Sequence, residues 1–233
     1  IKMHAEKGEI IGIVGESGCG KSTFLKLLLR FWERGGGEIN YDDIDIDKIN
    51  TNSLLKNVTM VSQSTYLFEE TIEDNLRIAK PDATPEEIEN ACKMAAVHDF
   101  IMTLPDGYKT QVTALGDNLS AGEKQRIGLA RAFLRGSELI LLDEPTSNVD
   151  SINEGIILKA LKEQKNKKSI MMDEFDMGLH TRLADFILDL IHASDGSQLL
   201  FSSHNTNLID VRRLRRDQIV FVNKSEDGST EVY

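Results

Sequence analysis

Short apolar runs alternate with amphipathic segments along most of the chain. The first run, from Glu9 to Val14, reads EIIGIV and is apolar on successive positions. Continuous runs of this length are typical of strands that are buried on both faces of a parallel sheet. Alternation of such strands with helices favours an α/β fold with a mostly parallel, helix-covered sheet. Strands are predicted at 9–14, 57–61, 139–143, 169–173, 198–202 and 218–222.

Helix starts are marked by a polar capping residue followed three positions later by glutamate. This pattern occurs at Thr84, Ser120 and Ser151, and Pro85 adds the residue preferred at the first helical position. A glycine triplet at 35–37 leads into a hairpin-like stretch, and the acidic run after it is interpreted as a solvated turn. Helices are predicted over about 21–34, from 84, over 120–132, over 151–164 and over 179–193.

The 233 residues suffice for one α/β domain with a large core. A helical pattern between about residues 64 and 136 interrupts the strands. We therefore predict a single domain, residues 1–233, with a core of about 1–63 and 137–233 and an inserted helical subdomain of about 64–136. The chain opens without an initiator methionine and almost directly at a strand, so we expect a longer parent protein.

Charge, hydropathy and cysteine content bear on whether the chain binds nucleic acid, spans a membrane or forms disulfides. The net charge of −11 gives no overall basic surface for nucleic acid, although Arg212, Arg213, Arg215 and Arg216 form a local basic cluster. A solvated face is the simpler interpretation of that cluster. No apolar run approaches the roughly 18 residues that a membrane span needs. The two cysteines form no disulfide framework, which favours a reducing cytosol.

Residues 15–23 read GESGCGKST and fit the phosphate-loop pattern G-x-x-x-x-G-K-[ST]. A strand before the loop and a helix after it favour this interpretation over a chance glycine turn. Lys21 is expected to reach the β- and γ-phosphates, and Ser22 is expected to bind Mg²⁺. The residues assigned to the nucleotide are Gly15, Ser17, Gly18, Cys19, Gly20, Lys21, Ser22 and Thr23.

Two of the predicted strands end in paired carboxylates. Asp143-Glu144 follows one strand, and Asp173-Glu174 follows another 30 positions later. A carboxylate at a strand end suits a magnesium ion beside the phosphate loop, and the following glutamate suits the orientation of an attacking water. An ordinary strand end is the alternative for either pair considered alone.

Five motifs in order make residues 8 to about 168 resemble the nucleotide-binding domain of an ABC transporter, most similar to exporter-type members. The signature segment reads LSAGE, in which Ala121 and Glu123 replace the family's glycine and glutamine. The remaining motifs follow the family's order. The other four are the phosphate loop at 15–23, Gln63 of the Q-loop, the Walker B strand that ends at Asp143 and is followed by the catalytic carboxylate Glu144, and the D-loop at 147–150.

The resemblance implies a P-loop NTPase that hydrolyses ATP with Mg²⁺ and powers transport across a membrane. It implies that Ser22, Gln63 and Asp143 serve the metal and that Glu144 orients the water. Ser120 and Gly122 would complete the ATP site of a second nucleotide-binding domain in a head-to-tail dimer. A transmembrane partner would contact the Q-loop and the helical subdomain at the cytoplasmic face of the membrane.

The rear of the chain departs from this family. No aromatic residue precedes the phosphate loop to stack on adenine, and the place of the expected Ser-His strand end is taken by Met172-Asp173-Glu174. From about Ser169 the chain resembles ABC-related AAA ATPases of the OLD and abortive-infection kind. That resemblance makes Asp173-Glu174 the Walker B pair and His204 the histidine that senses the γ-phosphate.

Two explanations remain open for the duplicated strand. The chain is either a hybrid joined near 168–169, which we favour, or a divergent natural ATPase whose second acidic pair is coincidental. We expect Asp173 to take the metal role if strand 169–173 lies beside the phosphate-loop strand. The competing functions are a soluble ATPase that acts on DNA or in phage defence, and a module that binds ATP without hydrolysing it.

Overall fold

A computed structural model gives the fold of the chain. It describes residues 10–15, 20–62, 64–143, 153, 155–157, 159–160, 169–173, 199–203, 219–224 and 230–232. The predicted helix over 179–193, the capping box at Ser151 and the cluster Arg212–Arg216 lie outside these residues. Those of residues 153–160 that are described are helical, in agreement with the helix predicted there.

The described strands form a seven-stranded sheet in the order β4-β5-β6-β7-β1-β8-β9, and β2 and β3 form a separate hairpin. All pairings in the large sheet are parallel except that of β8 with β9. The α/β class and the six predicted strands are therefore confirmed. The strands are β1 Ile10–Gly15, β2 Asn40–Tyr41, β3 Ile44–Asp45, β4 Val58–Val61, β5 Leu139–Asp143, β6 Ser169–Asp173, β7 Leu199–Ser203, β8 Ile219–Lys224 and β9 Thr230–Val232.

The position of β6 answers the topological question raised by the duplicated strand. It pairs with β5 on one side and with β7 on the other, whereas β1 pairs with β7 and β8. Strand 169–173 does not lie beside the phosphate-loop strand, so the stated condition for moving the metal role to Asp173 is not met. It nevertheless lies one strand nearer to β1 than β5 does.

The helices follow the capping signals of the sequence. Thr84 and Ser120 each accept a hydrogen bond from the backbone of the glutamate three residues later, and each glutamate accepts from the cap's N–H in return. The helix that begins after Ser120 continues to Arg135 and ends where Gly136 adopts φ 78, a left-handed conformation that glycine accommodates without strain. The helices are α1 Lys21–Leu28, α2 Thr51–Asn57, α3 Ile72–Arg77, α4 Pro85–Met94, α5 His98–Thr103 and α6 Ala121–Arg135.

The first helix ends six residues before the predicted boundary at Arg34, so that boundary is wrong. Arg30 adopts φ 55, which a continuing α-helix does not allow. Its guanidinium donates to the carbonyl oxygens of Ile46 and Ile49, both at 3.0 Å. These tertiary bonds hold the chain in the turn, and local helix propensity does not override them.

The acidic run after the glycine triplet folds as the tip of the β2–β3 hairpin. Asp42 and Asp43 form its turn with φ values of 47° and 65°. Asp45 and Asp47 both accept hydrogen bonds from Arg34, at 2.9 and 2.5 Å. The run is therefore a turn, as expected, but part of it is also tied to the end of the preceding segment.

Two apolar cores lie on opposite faces of the sheet. Leu141 of β5 packs with Leu25 and Leu28 of α1 on one face. Ile140 and Leu142 of β5 pack with the helices of the 64–136 segment on the other face. These three β5 side chains are 0–1% exposed. Burial on both faces explains why the sequence of this strand is apolar at successive positions.

Candidate nucleotide-binding site

The phosphate loop lies between β1, which ends at Gly15, and α1, which begins at Lys21. Gly20 precedes the helix with φ 106, a conformation that strains any residue with a side chain. Ser17, Gly18 and Cys19 lie outside the described residues, as does the Lys21 side chain. The strand–glycine–helix context that the motif requires is therefore present around the loop.

The start of α1 is suited to an anion. A helix leaves its first N–H groups without intrahelical acceptors, and the first helical bond here runs from Phe24 N to Gly20 O at 3.0 Å. Gly20 has no side chain to cap those groups, and the first turn contains no acidic residue. The positive end of the helix is thus directed at whatever binds the preceding loop.

The predicted site residues gather at one edge of the sheet. Val61 of β4 pairs with Leu142 of β5, and Asp143 of β5 pairs with Asp173 of β6. Ser203 of β7 pairs with Val14 of β1. Because these strands are parallel and their ends are aligned in register, their carboxyl ends lie at the same edge of the sheet, where α/β proteins bind ligands. Gln63, Glu144 and His204 lie outside the described residues and follow three of these strand ends.

The strand order gives the spacing along that edge. The end of β7, just before His204, is one strand from β1, Asp173 is two strands away and Asp143 is three. At about 4.8 Å per strand these separations are roughly 5, 10 and 14 Å. Asp143, which is half-buried, is thus the more distant of the two aspartates from the phosphate-loop strand.

The residue types at this edge fit a nucleotide with magnesium. Mg²⁺ prefers oxygen ligands, and the residues at this edge of the sheet include Ser22, Asp143 and Asp173. Helix α1 packs on β5 and β6 in one core cluster, through Leu25 and Leu28 against Leu141 and Met171. This packing keeps the helix that bears Ser22 in register with both aspartate-bearing strands.

The signature segment forms the start of α6. Ser120 is exposed at the N-cap; its hydroxyl accepts from Glu123 N at 3.3 Å, and its own N–H donates to Glu123 Oε2 at 2.7 Å. The glutamate that replaces the family's glutamine thus places a carboxylate at the positive end of α6. An incoming phosphate would compete with that carboxylate for the same end of the helix.

Gly122 has a steric role in the same turn. A Cβ at this position would lie 2.7 Å from Cγ of Asn153, which is closer than real contacts allow. Asn153 also accepts a hydrogen bond from Arg126 of α6. The glycine therefore lets α6 approach the segment that follows Asp143 and Glu144. No sequence motif marks Asn153, since a lone asparagine in a predicted helix carries no signal.

A second attachment joins α6 to the segment after Gln63. A Cβ at Gly128 would lie 2.5 Å from Oγ1 of Thr65, and Thr65 Oγ1 donates to Gln125 Oε1 at 3.3 Å. Asn75 and Arg131 add a polar connection between the same parts. Neither residue was predicted from the sequence, because the only signal of each was a polar side chain at a position where the helix pattern calls for an apolar one.

Burial shifts the pKa values of Arg131 and Cys92, two groups of the helical segment. Burial lowers the pKa of the Arg131 guanidinium to about 10. Burial raises the pKa of the Cys92 thiol to about 12, partly offset by a hydrogen bond with Tyr108. Cys92 therefore stays protonated at neutral pH, and it lies in the core of the helical segment.

Comparison with known proteins places these motifs in a family context. A family model described as ABC transporter matches residues 1–147. A probable ABC transporter ATP-binding/permease protein of Haemophilus influenzae is 55% identical over 172 residues, which cover 74% of this chain and 31% of that protein. Multidrug resistance protein pgp-1 of Caenorhabditis elegans is 45% identical over 173 residues, which cover 74% of this chain and 13% of that protein.

A solved structure extends the similarity to the rear of the chain. The structure of a bacterial Atm1-family ABC exporter with ATP bound superimposes with a TM-score of 0.69 at 29% identity. The match covers 95% of this chain and 32% of the exporter chain. The chain therefore spans about a third or less of these relatives. Among the described residues, no helix combines the length and apolar character that a membrane span requires.

Proposed function

The chain belongs to the ATP-binding domain family of ABC transporters, whose members are P-loop ATPases, and from this we propose that it binds MgATP, hydrolyses it and powers export across a membrane. The observation that carries the proposal is the phosphate loop between β1 and α1, at the sheet edge where the other motif-bearing strands end. We take residues 1–233 as one domain, with core segments of about 1–63 and 137–233 and a helical subdomain of about 64–136.

We assign phosphate binding to the loop at residues 15–23. Its backbone N–H groups and the N-terminus of α1 bind the phosphate oxygens, and Lys21 binds the β- and γ-phosphates. Mg²⁺, when bound with the nucleotide, neutralises charge that develops on the transferred phosphate. Ser22, Gln63 and Asp143 are the proposed residues for holding it.

Glu144 holds the attacking water in line with the γ-phosphate, and His204 contacts that phosphate. The family match over residues 1–147 supports Asp143 and Glu144 as the working pair. The position of β6, one strand nearer to β1, supports the rival pair Asp173 and Glu174. We assign the role to Asp143 and Glu144, because that pair belongs to the matched segment.

A head-to-tail dimer completes the site. We assign the start of α6, with Ser120 exposed at its N-cap and Gly122 buried in its first turn, to the γ-phosphate bound by a second domain of the same kind. Support comes from the positive N-terminal end of that helix, where Ser120 is exposed, although a phosphate would have to displace the Glu123 carboxylate from it.

The membrane part is assigned to the rest of a longer protein. The relatives named ATP-binding/permease protein are longer, and this chain covers 31% of the one from H. influenzae. The helical segment exposes Tyr66, Phe68, Ile78 and Met102, each about half or more exposed. We assign this apolar surface to contact with a transmembrane part, with the domain at the cytoplasmic face of the membrane.

The proposal is tested by nucleotide binding and phosphate release in the whole chain. Lys21→Ala should abolish both, because it removes the charge that binds the β- and γ-phosphates. Lys26→Ala is the matched control, since it removes the same charge from the same helix at a distance from the loop. Equal binding by the Lys21→Ala variant and the parent chain would refute the proposed site.

A further inference from the structure

Asn75 is a completely buried polar side chain in α3. Its amide nitrogen donates to the carbonyl oxygens of Phe68 at 2.9 Å and Thr71 at 3.0 Å, and more weakly to that of Glu70 at 3.4 Å. Its Oδ1 accepts from the backbone N–H of Phe68 at 2.8 Å. One side chain thus adds four bonds to the backbone of residues 68–71, beside backbone bonds such as that from Val112 N to the Glu70 carbonyl oxygen, and fixes the path of the segment.

Arg131 extends this network to α6. Its Nε donates to the Asn75 carbonyl oxygen at 2.8 Å, and its two terminal nitrogens donate to Asn75 Oδ1 and to the Tyr66 carbonyl oxygen, each at 2.7 Å. All three acceptors are uncharged. Arg131 is half-buried, and removing its guanidinium from water against neutral oxygens costs free energy that these hydrogen bonds must offset. Its rigid fork, however, fixes three atoms of two segments in one geometry.

The segment held in this way is Ser64–Thr71, which we call the aromatic segment. Thr65 packs against Gly128 of α6, and Tyr66 and Phe68 stand in edge-to-face contact with ring centroids 5.0 Å apart. Both rings are exposed, Tyr66 by 61% and Phe68 by 49%. The backbone of the segment is therefore fixed to α6, whereas its two rings are available to a partner.

Helix α6 connects this attachment to the signature serine. Arg131 lies eleven residues after Ser120, a distance of about 16 Å along a continuous helix at 1.5 Å per residue. An α-helix of this length moves as a rigid element. A shift imposed at Arg131 is thus delivered to the exposed N-terminus at Ser120.

We infer that Asn75 and Arg131 form a positioning pair that fixes the aromatic segment to α6, so that displacement of the exposed Tyr66–Phe68 rings moves Ser120. The meaning of a shift at Ser120 rests on the proposed function, in which this serine meets the γ-phosphate of a second domain. The attachment of the aromatic segment to α6 is supported by the contacts of Asn75 and Arg131 and does not depend on the proposed function. Asn75 and Arg131 are positioning residues, because neither is placed at the nucleotide.

Hydrogen exchange of the Phe68 amide tests the attachment in the whole chain, followed by NMR without nucleotide. Asn75→Leu and Arg131→Met keep the side-chain volume and remove the polar bonds, and Arg135→Ala is the control on the same helix. Each test variant should speed exchange of the Phe68 amide roughly tenfold or more, the scale of one lost buried hydrogen bond. The double variant should exchange no faster than the faster single variant. The pairing would be overturned if the two increases in exchange rate multiplied in the double variant, or if neither single variant changed the exchange rate.

Addition of MgATP separates coupling from a structural role. In the parent, MgATP should change exchange both at the start of α6 and at Phe68. In Arg131→Met, the start of α6 should still respond and Phe68 should not. A merely structural residue would change Phe68 exchange by the same factor with and without nucleotide, and that result would overturn the coupling. The first-turn amides of α1 report binding separately, so a parent that shows no response there refutes the proposed function instead.

Discussion

Substitution of Gly128 by alanine tests the close contact between α6 and the aromatic segment. The new Cβ would lie 2.5 Å from Thr65 Oγ1 and 3.0 Å from Thr65 Cγ2. Overpacking of this kind costs about 1–3 kcal/mol. Replacing a glycine within a helix by alanine stabilises the fold by about 1 kcal/mol, because alanine has the higher helix propensity. The net expectation is a loss of about 0–2 kcal/mol in the free energy of unfolding.

Thr65→Ala provides the matched background for this substitution. It removes both close atoms and leaves the Thr65 Cβ, 3.3 Å from the new methyl group. In this background Gly128→Ala should stabilise the chain, by up to about 1 kcal/mol. Gly155→Ala is the positive control, because Gly155 is helical and no atom of the described residues lies within 4 Å of its Cβ position.

The assay is urea unfolding followed by far-UV circular dichroism for the four members of the cycle and the control. Equal slopes would show that only stability has changed. The interaction between the two substitutions should be about 1–3 kcal/mol. If Gly128→Ala alone stabilises the chain as much as Gly155→Ala does, the contact between α6 and Thr65 is not as close as the structure has it.

The cysteines and the signature glutamate give further predictions. A thiol reagent at neutral pH should modify Cys19 and spare buried Cys92, and MgATP should protect Cys19; equal modification with and without MgATP would remove Cys19 from the nucleotide site. Because the pKa of Cys92 rises from 9.0 to about 12 on folding, the unfolded chain releases this proton first. The contribution of Cys92 should therefore lower stability as pH rises above about 9, and Cys92→Ala should reduce that loss in alkaline urea titrations. Glu123→Gln keeps a capping side chain and removes its negative charge, so ATP-dependent dimerisation measured by light scattering should strengthen; unchanged dimerisation would count against a phosphate at Ser120.

Local patterns predicted the elements of this fold well. The apolar run of β5 reflects burial on both faces, and the capping boxes at Thr84 and Ser120 set the starts of α4 and α6. These features depend on neighbours in the sequence. The end of α1 was missed because Arg30 is held by carbonyl groups of residues 46 and 49, which local propensity does not report.

The candidate site was predictable in its motifs and unpredictable in its arrangement. The phosphate loop is a contiguous pattern, and its flanking strand and helix are where the pattern requires them. The two strands between β1 and β5 were not predictable, since strand order is decided by tertiary packing. Asn75 and Arg131 were missed for the same reason, because their partners lie in another part of the chain.

Steady-state phosphate release with MgATP, measured for the parent chain, Glu144→Gln and Glu174→Gln, decides which carboxylate pair carries out hydrolysis. Each substitution preserves size and removes the carboxylate that would orient the water. We expect the parent to release phosphate, Glu144→Gln to release none, and Glu174→Gln to remain active. Loss of release only in Glu174→Gln would contradict this expectation and move the working pair to β6, and a parent that binds ATP without releasing phosphate would contradict hydrolysis by this chain.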